Sequence, residues 1–145
     1  MRALIQRVSE ARVVVDGAVV GEIGHGLLAL VAVQKGDDEP AVERLLHKLL
    51  HYRVFADSNG KMNLDLQQVK GGLLLVSQFT LAADTTKGLR PSFSSAAEPA
   101  LARDLFEQLV ERACTAWPQT ACGVFAADMK VQLINDGPVT FLLDV

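Results

Sequence analysis

A chain of 145 residues, 50% of them hydrophobic, holds apolar material for one core, and a single domain over residues 1–145 is expected. Its net charge of −3 excludes tight, sequence-blind duplex binding, which draws on neutralised phosphates, but leaves open recognition of one end of a nucleic acid. Cys114 and Cys122 are too few for a disulfide framework or a four-cysteine zinc site, and Arg2 and Arg7 interrupt any signal core, so a soluble cytoplasmic protein with no membrane segment is expected.

In chain order, Ala3 to Val8 and Arg12 to Val15 read as strand. Asp16-Gly17 is a two-residue hairpin signal and Ala18 to Ile23 the returning strand. Gly24-His25-Gly26 turns again into Leu27 to Val33, a run without polar alternation and therefore expected to be buried on both faces. Asp37, Asp38, Glu39 and Pro40 form a helix start, after which Val42, Leu45, Leu46, Leu49 and Leu50 recur at helical spacing. His47 and His51 lie one turn apart, but no acidic residue between them completes a zinc motif, and an exposed helix flank is the better reading.

Arg53-Val54-Phe55 predicts a short strand and Ser58-Asn59-Gly60 a turn, while Lys61, Met62 and Asn63 have no assignable role. Gly71 to Leu81 is the stretch the chain is organised around. An apolar run opens on two glycines and changes abruptly to Ser77, Gln78, Phe79 and Thr80, where a rigid strand passes into a loop. The long polar segment Ala83 to Ser95, with Lys87, Arg90 and the anchor Phe93, is expected to form an ordered rim. A second helix begins near Glu98-Pro99, buries Leu101, Leu105, Phe106, Leu109, Val110 and Ala113, and ends before Pro118. Gly123 to Ala127, Lys130 to Ile134 and Val139 to Leu143 are three further strands, with Gly137-Pro138 in a turn between the last two. The pattern is α+β: a largely antiparallel, barrel-like sheet covered by two helices.

Few catalytic kits are available. No histidine lies in the Ser77–Thr80, Asp84–Ser95 or Gly137–Thr140 stretches, so a Ser-His-Asp or Cys-His arrangement has weak support unless folding brings His25 close. No phosphate loop or dinucleotide fingerprint is present. What remains is backbone N–H groups, hydroxyls and a ring, which suit an activated ester better than an amide. Gly137-Pro138 is either an ordinary hairpin turn or a rigid one that aims backbone carbonyls at a ligand.

The pair Ser77-Gln78-Phe79-Thr80-Leu81 and Asn135-Asp136-Gly137-Pro138-Val139-Thr140 resembles the two signature motifs of the D-aminoacyl-tRNA deacylases, and the likeness runs the length of the chain. Ala82 and Leu89 depart from the family pattern at positions flanking the motifs. The resemblance implies a homodimer that hydrolyses the ester between a D-amino acid and the 3′ end of tRNA, a chiral proofreading activity that also admits glycine. It implies a composite site, with Ser77, Gln78, Phe79 and Thr80 from one subunit and a cis Gly137-Pro138 filter from the other. Backbone donors near Phe79 and Thr80 act with the 2′-hydroxyl of the terminal ribose, the adenosine lies beside the Ser-Gln-Phe-Thr stretch, and no metal or cofactor is implied. Lys87 and Arg90 are candidate tRNA contacts. Thr80 as a covalent nucleophile is the rival mechanism. A non-catalytic module that binds an adenosine or nucleotide end is the rival function.

Overall fold

One long strand at the start of the computed structural model, which describes residues 1–145, supports most of the sheet. β1 (Arg2–Val15) buries Ala3 and Ile5 in the core under the helices and, past an irregularity in its pairing, Val8, Ala11 and Val13 in a second cluster. Ala3 and Ile5, like Ala11 and Val13, stand two residues apart, as one face of a strand requires. In chain order follow β2 (Ala18–Ile23), β3 (Gly26–Ala32), α1 (Glu39–His51), β4 (Phe55–Ala56), β5 (Met62–Leu64), β6 (Gly72–Ser77), a 3-10 turn (Phe79–Ala82), α2 (Pro99–Ala116), β7 (Thr120–Cys122) and β8 (Lys130–Asp144). No helix is long and apolar enough to cross a membrane.

The main sheet has six strands, in the order β2-β1-β3-β6-β7, with β8 on the opposite edge of β1. β1 pairs antiparallel with β2, β3 and β8, while β3–β6 and β6–β7 are parallel. Antiparallel pairing therefore predominates in a mixed sheet, and each parallel pair is joined by a crossover that carries one helix, as parallel strands require. β2 swings back towards β7 and nearly closes a barrel. A Cβ on Gly21 would lie 2.4 Å from the carbonyl oxygen of Cys122, so only glycine permits that approach.

β3 and β6 are buried on both faces, as their unbroken apolar runs predict. Leu27, Ala29, Val31, Leu73 and Leu75 face the helices, and Leu28, Leu74 and Val76 join Val8, Ala11 and Val13 in a second cluster. α1 starts where expected: the Asp38 side chain accepts from the Ala41 N–H at 3.0 Å and Pro40 sits in the first turn. Val42, Leu45, Leu49 and Leu50 are buried along it. In α2 the buried residues are Leu105, Phe106, Leu109 and Ala113, whereas Leu101, expected in the same stripe, is 42% exposed. It stands in the first turn, ahead of the buried part of the stripe.

Four strand expectations change. The two strands anticipated over Ala3–Val15 are one, because β8 stays paired along both halves of β1. The short strand after α1 is Phe55–Ala56, and its partner is Met62–Leu64, which gives the unassigned Met62 and Asn63 a place. Gly123–Ala127 is not a strand. β7 ends at Cys122, and Ala126 has φ of 63°, a left-handed conformation outside the β region. Lys130–Ile134 and Val139–Leu143 are a single strand, since the residues between them bulge out and pairing with β1 resumes beyond.

Candidate functional site

β6 ends at Ser77, which pairs with Val31 of β3, and the Gln78 N–H still donates to the Val31 carbonyl at 2.7 Å. The chain then tightens: the Leu81 N–H donates to Gln78 O and the Ala83 N–H to Thr80 O, each at 3.1 Å. The N–H groups of Phe79 and Thr80 thus lead the turn, where helical N–H groups have no intrahelical acceptor. Its carbonyl end is tied down. Arg2 Nη1 donates to Leu81 O at 3.3 Å, and Ser95 Oγ donates to Ala82 O. Arg2 also pairs through Nε with Asp144 of β8 at 2.7 Å, and that bond raises its guanidinium pKa further above the ordinary value. Gln78 Nε2 donates to Thr80 Oγ1, and no histidine or carboxylate bonds to either side chain.

Phe79 is 60% exposed, and its aromatic neighbour is Phe93, with ring centroids 5.2 Å apart. The expected rim is present. Asp84 and Ser92 exchange backbone bonds of 2.8 and 3.0 Å, and the Asp84 carboxylate accepts from Thr86 Oγ1 at 2.7 Å and the Thr86 N–H at 2.9 Å. The hydroxyl bond first, then the backbone bond, holds the Asp84 carboxyl below the usual carboxylate range. Lys87, Leu89 and Arg90 are exposed on this loop.

Behind the turn opens a cleft of about 570 Å³, within the range of small-ligand sites. Ser77, Gln78 and Phe79 form one wall, Ala102 of α2 a second, and Phe125 and Met129 a third. The third wall escaped sequence reasoning. It is built on the left-handed Ala126, and an alanine at positive φ leaves no signal in a sequence. The carboxylate in the lining, Asp128, is paired with Lys130 at 2.7 Å.

The second motif interrupts β8. Gln6 pairs with Thr140 and Val8 with Asn135, so the four residues Asp136 to Val139 stand opposite Arg7 alone. The Gly137–Pro138 peptide bond is cis, and both residues are exposed while Val139 is buried. Side chains hold the bulge from within the chain. Arg7 Nε donates to Asp136 O at 3.0 Å and Nη1 to Val54 O at 2.7 Å, and Asn135 Nδ2 donates to Arg7 O at 2.9 Å and Val139 O at 3.2 Å. Gly137 is not left-handed, so angular freedom does not explain it. Space does: a Cβ there would lie 2.6 Å from Asn135 Oδ1.

Within one chain the two motifs stay apart. Arg7, opposite the bulge, pairs with Leu27, which pairs with Leu73, and Ser77 lies four residues further along β6. Three strand spacings of about 4.8 Å and four rises of about 3.3 Å put them roughly 20 Å from each other. His25 does not join either motif. Its carbonyl accepts from the Gly72 N–H at 2.9 Å, at the other end of β6, and its ring meets Phe55 edge-on at 5.2 Å. The His47 and His51 rings lie 4.6 Å apart on α1, with His51 Nδ1 3.4 Å from Asp65, and no set of three ligating side chains forms a metal cluster anywhere in the chain.

The family model described as D-Tyr-tRNA(Tyr) deacylase matches residues 4–144. A protein named D-aminoacyl-tRNA deacylase from Ectopseudomonas mendocina is 63% identical over 145 residues, 100% of both chains. One of the same name from Pseudomonas aeruginosa is 62% identical over 144 residues, 99% of both. Among solved structures, a c-Myc DNA unwinding element binding protein superposes with a TM-score of 0.95 at 33% identity, covering 100% of this chain and 99% of its own. A probable eukaryotic D-amino acid tRNA deacylase superposes at 0.84 with 15% identity, covering 99% and 98%, a likeness of fold alone.

Proposed function

The chain belongs to the D-Tyr-tRNA(Tyr) deacylase family, and from that premise we propose that it hydrolyses the ester joining a D-amino acid to the 3′ end of tRNA, in a site completed by a second copy of itself. The observation that carries this reading is the strand-end turn, whose leading N–H groups stand beside a nucleoside-sized cleft. The terminal adenosine enters the cleft with its base against the exposed Phe79 ring, a contact open to any base because every base has a π-face. That placement sets the ester at the N–H groups of Phe79 and Thr80. They stabilise the oxyanion that develops as water attacks, and the products are free D-amino acid and tRNA.

Nothing near Thr80 is built to take its proton, which speaks for the ribose 2′-hydroxyl, and against a threonine nucleophile, as the assisting group. A substrate ending in 2′-deoxyadenosine is expected to react about a hundred- to a thousandfold more slowly, the cost of one positioned group.

The roughly 20 Å between motifs within one chain is why a partner is needed. β8 pairs only with β1, and Ile134 and Leu142, 56% and 54% exposed, flank the bulge along it. A two-fold dimer built on this surface sets the Gly137-Pro138 bulge of each copy against the turn of the other. There its rigid backbone fills the volume an L side chain needs and leaves room for a D side chain or the hydrogen of glycine. The deciding assay compares hydrolysis of D-tyrosyl-, L-tyrosyl- and glycyl-tRNA. Release from the D and glycyl esters with the L ester intact is expected. Binding without release would make the protein an adenosine-end module, and equal D and L rates would remove the chiral filter.

A further inference from the structure

Nucleic acid must leave the cleft as well as enter it, and the cations near its mouth differ in how they are placed. Lys87 and Arg90 stand on the Asp84–Ser92 loop, which reaches the site through the contact of Phe93 with Phe79, and neither makes an ion pair or hydrogen bond that fixes its head. Arg103 is different. It follows the cleft-lining Ala102 on α2, and its guanidinium carbon lies 4.9 Å from the centroid of Phe125, the ring of the opposite wall. That packing orders the planar head at the rim and leaves its edges free to donate. Its one anionic partner, Glu107, is 3.6 Å away across a surface where the two side chains are 54% and 61% exposed, a pair that solvent screens and an incoming phosphate can replace. The one carboxylate in the cleft lining, Asp128, has a side chain 84% exposed and bonds to Lys130 at 2.7 Å, so solvent and that ammonium both weaken its pull on Arg103.

We propose that Arg103 is the phosphate contact that receives the RNA strand as it emerges from the cleft, binding the backbone on the 5′ side of the terminal adenosine. The inference rests on the deacylase reading above and adds the path of the strand to it. An ordered guanidinium suits this task because its fork donates two parallel bonds to a phosphate, which a lysine cannot reproduce.

The test compares two substrates, D-tyrosyl-tRNA and D-tyrosyl-adenosine, the second carrying the same ester and base without the phosphate. Arg103→Gln is expected to raise KM for the tRNA about two- to fivefold, the worth of a half-exposed charge contact, with kcat held. It lowers the slope of log KM against log salt by about 0.7, one single-strand phosphate. Arg103→Lys recovers only part of the loss. Hydrolysis of D-tyrosyl-adenosine is expected to be unchanged. An equal loss on both substrates would show that Arg103 acts only by packing Phe125, and an unchanged KM and salt slope on tRNA would place the strand elsewhere. Failure of the wild-type protein to hydrolyse either D ester is a separate result, which overturns the deacylase reading itself.

Discussion

The two motifs solve the same problem, a rigid backbone at the surface, by opposite means. The Phe79–Ala82 turn grows from a strand buried on both faces, is tied at its carbonyl end by Arg2 and Ser95, and presents its leading N–H groups. The Asp136–Val139 bulge interrupts a strand, is tied from beneath by Arg7 and Asn135, and stands exposed at Gly137 and Pro138. The first has a floor, walls and a cleft. The second has none of these within its own chain, and a rigid projection without a pocket works only against a surface brought to it. Rigidity is thus a property of each region separately, while the site proposed above needs both.

The most damaging way to break the second region is Gly137→Ala. The new methyl meets Asn135 Oδ1 at 2.6 Å, and that side chain cannot step aside without giving up its bonds to Arg7 O and Val139 O. A displacement near 1 Å at a positioned group costs about a hundredfold, so kcat/KM on D-tyrosyl-tRNA is expected to fall that far, with the circular dichroism spectrum intact. Unchanged kinetics in the folded variant would take the filter away from this bulge. Next is Phe79→Ala in the first region. Losing one stacked base costs about 1–3 kcal/mol, roughly five- to a hundredfold in kcat/KM, and the loss should appear in KM. A loss confined to kcat would mean that the ring does not hold the adenosine.

Thr80→Ala sharpens the contrast between backbone and side chain within the turn. Its hydroxyl bonds only to Gln78, so removal is expected to cost about two- to tenfold, the size of one neutral hydrogen bond. An acyl-enzyme trapped on Thr80 by rapid quench would restore the nucleophile. The smallest effect concerns the rim. Asp84 has a depressed carboxyl pKa, so the stabilisation from its bonds to Thr86 is complete above the ordinary carboxylate range and is lost as pH falls through the folded-state value. Followed by NMR, the Thr86 amide should titrate with a midpoint below that of an unstructured aspartate, and Asp84→Asn should abolish the transition. A midpoint at the ordinary value would mean that the loop is not held this way.

Much of this was legible because the chemistry is local. The unbroken apolar runs of β3 and β6 announced burial on both faces, Asp38 and Pro40 marked the start of α1, and the change of character at Ser77 marked a strand end. What was illegible depends on partners distant in sequence. Nothing within Lys130–Leu143 reveals that β1 keeps both halves of β8 in one ladder, so the Gly-Pro bulge read as a turn. The wall at Phe125 rests on the positive φ of Ala126, which tertiary packing imposes and composition does not encode. Leu101 kept the helical spacing yet lies ahead of the buried part of its stripe.

The central claim is that a functional site takes its turn from one copy and its bulge from another, and mixing two disabled chains tests it. Phe79→Ala and Gly137→Ala chains, each weakly active alone, are co-expressed with different tags, and the doubly tagged species is purified and assayed on D-tyrosyl-tRNA. In each mixed dimer one site combines both lesions and the other is intact, so about half of wild-type activity per dimer is expected from two-fold symmetry. Mixed dimers no more active than the two parents would show that each chain carries its own complete site.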